Sequence, residues 1–323
     1  MADTRDDLSV VIPVYNSGAI IGELHKQLTS VLSSLTDDYE IIFVNDCSLD
    51  NSWEILIQLA ASDVHITAIS LRKNVGYDNA IMSGLRSVSC SYVVIMDDDL
   101  QHAPQDISCL LSEIKKGYDI VYANFLKKQQ SFLKNIGSWL NGKLAQLIIN
   151  KPREIYLSPF KIIRREIIQE IIKYDGPFPY IDGLLLQITS SVHQVAITHH
   201  SRTSGKGGHG LYRSLRIMMN FCTTFSILPL RIFTFLGFAI SLIACIVSIT
   251  LVVAEVWIDI DVEGWTSIML GIIIFGGIQL IGMGILGEYV GRTYMNINRK
   301  PQYVVKEMIV NTTQPVCDPK SVD

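Results

Sequence analysis

The chain has 323 residues, 49% of them hydrophobic, with 27 Lys+Arg against 31 Asp+Glu for a formal net charge of −4. Such a length holds a sizeable core and more than one domain, and the mildly acidic balance leaves no electrostatic footprint for nucleic acid. The six cysteines, at 47, 90, 109, 222, 245 and 317, show no CxxC pair or zinc-ligand spacing, which predicts buried, reduced thiols in a cytosolic domain.

The N-terminus carries Asp3, Asp6 and Asp7, and its apolar run is short and holds Pro13, so no signal peptide is expected. Residues 8–13 read as a first strand that Pro13 ends, and Asn16-Ser17-Gly18 turns the chain into a helical pattern over 19–35. Tyr39-Glu40-Ile41-Ile42-Phe43-Val44 is a second strand. The polar patch from Asn45 to Ser52 then supplies caps for a helix over 53–61. Residues 66–71 form a third strand. Arg72-Lys73-Asn74-Val75-Gly76 leads on to a helix carrying Ala80, Ile81, Gly84 and Leu85. A fourth strand spans 92–96. The alternation predicts βαβ units, an α/β fold and a mainly parallel sheet.

The fourth strand, Tyr92-Val93-Val94-Ile95-Met96, is apolar without polar alternation, as in a strand buried on both faces. It ends in Asp97-Asp98-Asp99-Leu100-Gln101-His102, just past the carboxyl end where open α/β sheets bind ligands. Three adjacent carboxylates repel one another and are costly to bury unpaired. A hard divalent cation, Mg²⁺ or Mn²⁺, relieves both problems and completes its shell with substrate phosphates. The alternative is a solvated loop whose Asp99 caps the helix starting near Pro104.

A helix over 104–116 and a strand over 118–122 follow, then a basic stretch with Lys127, Lys128, Lys134, Lys143, Lys151 and Arg153. Apolar residues at helical spacing among them fit an amphipathic helix with a solvated lysine face. Gly176-Pro177-Phe178-Pro179-Tyr180-Ile181-Asp182-Gly183 suits a structured loop beside a site or a packing turn between domains. Arg202 to Gly210 is glycine-rich and cationic, a composition that can close over a phosphate. Residues 211–226 have the spacing of an amphipathic helix at a membrane surface.

Residues 232–257, apolar except for small hydroxyls and a terminal Glu255, and residues 265–286, which contain no charge, are each long enough, at about 1.5 Å per residue, to cross a hydrocarbon layer of about 30 Å. The connector 258–264 carries Asp259, Asp261 and Glu263 and no base, whereas Arg231, Arg292, Arg299 and Lys300 flank the pair. The positive-inside rule puts both termini in the cytoplasm. Gly287 and Gly291 permit close helix packing, within one chain or between chains of a homo-oligomer. The expected domains are therefore 1–210 (cytosolic, catalytic), 211–230 (interfacial helix), 231–290 (two-helix hairpin) and 291–323 (cytosolic tail).

Four polar loops, 13–16, 45–50, 72–79 and 97–102, converge at one sheet edge and make a nucleotide-sized cleft. No G-x-G-x-x-G follows the first strand and no P-loop motif occurs, so the carboxylate-held metal is the candidate for handling phosphate. A cytosolic cleft tethered to a bilayer pairs a soluble nucleotide-activated compound with a lipid head group. A lipid phosphate, with a second pKa of about 6, is largely ionised near neutral pH. It needs positioning by Lys or Arg more than a strong general base.

Val11-Ile12-Pro13-Val14-Tyr15-Asn16, Val44-Asn45-Asp46-Cys47-Ser48-Leu49-Asp50, Arg72-Lys73-Asn74-Val75-Gly76 and Asp97-Asp98-Asp99-Leu100-Gln101 resemble, in order, the motifs of family 2 glycosyltransferases. The closer resemblance is to polyprenyl-phosphate (undecaprenyl- or dolichyl-phosphate) glycosyltransferases. It continues through Pro229-Leu230-Arg231 to the stretch Ile281 to Arg292 and to Arg299-Lys300-Pro301-Gln302-Tyr303. The resemblance implies a GT-A fold, a nucleoside-diphosphate sugar donor such as a UDP-sugar, Mg²⁺ or Mn²⁺, a polyprenyl phosphate acceptor and inversion at the anomeric carbon. It also implies a multi-pass protein of a bacterial inner membrane serving cell-envelope glycans of the lipopolysaccharide type.

By the same resemblance, Pro13, Tyr15, Asn16, Asp46, Asn74, Asp97 and Asp98 lie around the nucleotide, with Asp46 at the base. Asp97, Asp99 and Gln101 are the metal ligands, and Arg202 meets phosphates. The sequence departs from the family at several points. Asn45 stands where a first Asp is usual, and Asp98 replaces a small or neutral residue. The arginine expected after the fifth strand falls on Phe125, leaving Lys127, Lys128 or Lys134 to meet the acceptor phosphate. Gly207-Gly208-His209 replaces Ser-Lys-Tyr, so Lys206 takes the lysine's place. The acidic residue usual before Phe160-Lys161 is missing, with Ile155 near its position, and Asp182 is the remaining carboxylate to contact sugar or orient acceptor. A processive polysaccharide synthase would need more membrane helices and a Gln-x-x-Arg-Trp motif. A transferase using another lipid or glycan acceptor, or a silent membrane scaffold, are the other readings.

Overall fold

The computed structural model describes residues 7–125, 155–197, 264–298 and 301–310, together with residue 230 and most of 233–250. The chain divides into two compact units, Met1–Gly208 with Arg299–Asp323, and His209–Asn298.

The first unit is built on an eight-stranded sheet of order β7-β5-β6-β4-β1-β2-β3-β8. Its strands are β1 (Leu8–Val14), β2 (Tyr39–Asn45), β3 (Ile66–Leu71), β4 (Tyr92–Ile95), β5 (Ile120–Phe125), β6 (Lys161–Arg164), β7 (Val192–Ile197) and β8 (Val305–Val310). β1, β2, β3 and β4 are linked by parallel pairings, as expected. β6 runs antiparallel between β4 and β5, and β8 antiparallel beside β3. The sheet is therefore mixed, with six strands in one direction and two reversed.

Apolar residues on both sides of β1 and β4 are fully buried because helices cover both faces. On one face α1 (Gly18–Leu35), α2 (Ser52–Ser62) and α4 (Ile107–Ile114) pack Leu24, Leu28, Leu56 and Leu110 against Val10, Ile12 and Val94. On the other, α3 (Tyr77–Leu85), α5 (Arg165–Ile171) and α6 (Ile181–Ile188) cover Val11, Val93, Ile95 and Tyr122. Each such fully buried aliphatic side chain contributes about 1.5–3 kcal/mol. A Cβ on Gly84 would lie 2.5 Å from Val11 Cγ1, so glycine is what lets α3 approach β1.

The expected strand at 118–122 is found at Ile120–Phe125, because its parallel pairing with β7 runs from Ile120↔Val192 to Phe125↔Ile197. The expected helix at 104–116 begins as a 3-10 turn, Pro104–Asp106, before α4. The tail contributes β8 to the sheet edge, and Arg72 N donates to Val304 O at 2.9 Å.

In the second unit α7 spans Trp265–Ile297 and residues 233–240 are helical. Gly282 touches the Phe233 ring, leaving no room for a Cβ. Among the described residues no helix is long and apolar enough to cross a membrane. The expected interfacial helix up to residue 229, and most of the connector 258–264, lie outside the described residues.

Candidate active site

Because β1 to β4 are parallel, their carboxyl ends deliver four loops to one edge. Three of these loops each hold a non-glycine residue with positive φ, Asn16 (55°), Cys47 (56°) and Leu100 (57°). That conformation is uncommon for side chains other than Asn or Asp, and it concentrates where backbone is held for function.

The loops are stitched to one another. Asn16 N donates to Ser48 Oγ at 3.0 Å, and Leu49 N returns a bond to Asn16 Oδ1 at 2.7 Å. Asp50 accepts from Gly18 N at 3.0 Å and Ser52 N at 3.1 Å, at the starts of α1 and α2. Burial pushes its carboxyl up, but these bonds and the Ser52 hydroxyl outweigh that and hold it below the usual range.

Asp46 is buried and accepts Val75 N at 2.7 Å and Gly76 N at 2.9 Å, one on each oxygen. It thus braces the 72–76 turn, where Gly76 with φ of 88° opens α3. Burial, opposed by those two bonds, raises its carboxyl above the ordinary range. Pro13 is buried in β1, whereas Tyr15, Asn16 and Asn74 are exposed around the same edge.

Asp97, Asp98, Asp99 and Gln101 are half-buried on the loop after β4. Tyr77 Oη donates to Asp97 Oδ1 at 2.8 Å, and Tyr15 N lies 3.4 Å from Asp98 Oδ2. Asp99 Oδ1 accepts Gln101 N at 3.1 Å, shaping the turn. His102 is buried, accepts Asp97 N at 3.4 Å and stacks on Phe160 with centroids 5.1 Å apart. Burial, with Asp97 and Asp99 alongside, pushes Asp98 up to about 6.

Beside this loop lies a second group absent from the sequence expectations except for Asp182. Lys161, 2% exposed at the start of β6, forms an ion pair with Asp182 Oδ1 in the first turn of α6. Tyr122 Oη donates to the same oxygen at 2.9 Å. Asp78 accepts Ile181 N at 3.2 Å, and burial, together with Asp182, lifts it to about 6. Tyr77 and Tyr180 are both raised by burial and by these carboxylates. Lys161 carried a signal in the sequence: one cation between Phe160 and the apolar pair Ile162-Ile163.

The donor set suits a hard divalent cation, although among the described residues no three His, Cys, Asp or Glu side chains form a group able to hold a metal. Mg²⁺ is commonly held by only one or two carboxylates together with substrate phosphates, and Asp97 and Asp99 are carboxylates on the loop after β4. Lys127, Lys128, Lys134, Arg202 and Lys206 lie outside the described residues.

Residues 9–172 match the family described as Glycosyl transferase family 2. The chain belongs to glycosyl transferase family 2. This glycosyltransferase is 30% identical to an uncharacterized glycosyltransferase of Synechocystis sp., over 94% of this chain and 95% of that protein. It is 31% identical to the undecaprenyl-phosphate 4-deoxy-4-formamido-L-arabinose transferase of Yersinia pestis, over 94% of this chain and 93% of the relative. The GT-A fold is shared with glucosyl-3-phosphoglycerate synthase from Mycobacterium tuberculosis, solved with Mn²⁺, UDP and phosphoglyceric acid. That similarity has a TM-score of 0.50 and 18% identity, over 68% of this chain and 76% of that one.

Proposed function

We propose that this glycosyltransferase moves a sugar from a nucleoside-diphosphate sugar, a UDP-sugar in the simplest case, to a polyprenyl phosphate at a membrane surface, with inversion. The observation that carries the reading is five carboxylates, Asp78, Asp97, Asp98, Asp99 and Asp182, gathered at one sheet edge, with Lys161 paired among them. Asp97 and Asp99 of this group would hold a divalent cation, which would supply positive charge to offset that of a diphosphate. The acceptor follows from the likeness to the Yersinia enzyme over nearly the whole chain.

Asp97, Asp99 and Gln101 would hold Mg²⁺ or Mn²⁺, which when bound neutralises charge on the departing nucleoside diphosphate. The protein's own groups orient the reactants. Tyr77 fixes Asp97, and Asp98 ties the β4 loop to the backbone at Tyr15. Asp182 meets the sugar or the acceptor from α6. Lys127, Lys128, Lys134, Arg202 and Lys206 are the candidates for drawing in the acceptor phosphate. A phosphate oxygen forms the new bond to the anomeric carbon as the bond to the diphosphate oxygen breaks. The phosphate is already ionised, so no strong base is required.

The apolar stretches 232–257 and 265–286 of the sequence support membrane attachment in this reading, and Ile268, Ile272, Phe275, Leu280, Ile281 and Met283 of α7 are exposed. By the positive-inside rule the flanking bases favour a cytoplasmic catalytic unit and termini; in this reading the membrane is a bacterial inner membrane, where the lipid-linked sugar would serve cell-envelope glycans.

The test is to incubate membranes containing the protein with undecaprenyl phosphate and a panel of sugar nucleotides, and to weigh the lipids. One donor should add a single sugar mass to the lipid phosphate. Transfer to a water-soluble acceptor alone would overturn the reading.

A further inference from the structure

Lys161 lies opposite Ile95 on β4 and opposite Tyr122 on β5, two residues along the sheet from where Asp97 leaves β4. It is 2% exposed, and its ammonium sits 5.3 Å from the centroid of the fully buried Tyr122 ring. Its neighbours on that face, Ile95 and Ile163, are apolar and fully buried. A buried ion pair in such surroundings gains little for the fold over an apolar pair of similar volume. Stability alone therefore does not account for a lysine at this position.

The arrangement of donors points elsewhere. Asp182 Oδ1 accepts from both Lys161 Nζ and Tyr122 Oη, which fixes the carboxylate in one orientation. Ile181, the residue before it, is held by Asp78 from α3. Strands β5 and β6 and helix α3 thus fix the first turn of α6 beside the Asp97 loop. Two donors committed to one oxygen leave Asp182 Oδ2 as the atom able to face a substrate hydroxyl.

We propose that Lys161 is a positioning residue for sugar transfer, acting with Tyr122 to hold Asp182 in the orientation that meets the sugar or acceptor. The proposal rests on the role given to Asp182 above.

The experiment compares kcat and KM for the nucleotide sugar and for undecaprenyl phosphate in the full-length protein. The variants are Lys161→Met, Lys161→Arg, Asp182→Asn and the Lys161→Met/Asp182→Asn double. Lys161→Met should lower kcat by about 10²-fold with KM for the nucleotide sugar within about 3-fold, as expected when a reacting group is misplaced. Lys161→Arg should recover most of that loss. The double variant should be no slower than Asp182→Asn alone, because Lys161 works through Asp182. A kcat for Lys161→Met within about 3-fold of wild type, or losses that multiply in the double variant, would overturn the proposal. Should Lys161→Met fail to fold, Tyr122→Phe serves instead. It should slow wild type by about 10-fold and Asp182→Asn not at all, and equal slowing in both backgrounds would overturn the proposal. Absence of any lipid transfer by wild type would count against the proposed function itself and take this inference with it.

Discussion

The Tyr77 hydroxyl donates a 2.8 Å hydrogen bond to Asp97 Oδ1, tying the start of α3 to the carboxylate loop after β4. Tyr77→Phe removes that donor and leaves the ring in place. Partners that orient a metal ligand are worth about 10–100-fold in affinity or activity. Tyr77→Phe should therefore weaken Mn²⁺ binding in the presence of UDP by about 10-fold or more, read by calorimetry on the purified protein.

Asp78 supplies a pH-dependent prediction. Burial lifts its carboxyl to about 6, so the folded protein holds this proton more tightly than the unfolded chain. The contribution is fully present below pH 4 and is lost as pH rises through about 6. Asp78→Asn keeps an oxygen for Ile181 N but cannot ionise. It should raise the unfolding free energy at pH 8 by on the order of 2 kcal/mol, with a higher unfolding midpoint, and the gain should vanish near pH 4. A midpoint difference independent of pH would contradict the assignment.

At the opposite edge of the sheet the sign reverses. Burial pushes Asp63 up, but His25 at 2.9 Å, the His65 backbone N–H and the His65 ring at 2.9 Å together hold it below the usual range. Its stabilisation is present above the unfolded value and is lost as pH falls through the lower folded one. Asp63→Asn should cost about 1 kcal/mol at pH 7, should converge with wild type in acid, and should leave turnover unchanged.

The tail is also part of the catalytic unit's frame. Gln302 Nε2 donates to Tyr174 O at 2.9 Å and Gly176 O at 2.7 Å. Arg86 reaches the same turn through Asp175 at 3.2 Å and bonds Tyr303 Oη at 3.1 Å. Gln302→Ala leaves both carbonyls without this donor and should cost about 1–2 kcal/mol of stability, measured by thermal unfolding in detergent.

Elements with a local signature were legible in the sequence, and elements created by pairing were not. The apolar run of β4 announced a strand covered on both faces, and the strand–helix alternation from β1 to β4 announced the parallel register that the structure has. Lys-Ile-Ile-Arg of β6 is four residues long with a cation at each end, and only its place between β4 and β5 makes it a strand. Val-Lys-Glu-Met-Ile-Val of β8 mixes charge with apolar residues and read as tail; it is an edge strand, where such a mixture is tolerated.

The candidate site divides in the same way. The Asp97–Asp99 loop was visible because three carboxylates follow a buried strand. Of the Lys161–Asp182–Tyr122 cluster only Asp182 was expected, since the three come from β6, α6 and β5 and meet only after the sheet has formed. Asp46 was expected at the nucleotide base, and the structure shows it bound to the backbone of Val75 and Gly76. Its bracing of that turn depends on backbone N–H groups that a string of side chains does not display.

The most direct measurement is sugar transfer to undecaprenyl phosphate by the purified full-length protein with Mn²⁺, after chelation, and in the Asp99→Ala variant. Transfer should stop with chelator, return when Mn²⁺ or Mg²⁺ is restored, and be absent in Asp99→Ala while that variant still folds in membranes. Transfer that continues in excess chelator, or unchanged turnover in Asp99→Ala, would contradict the account.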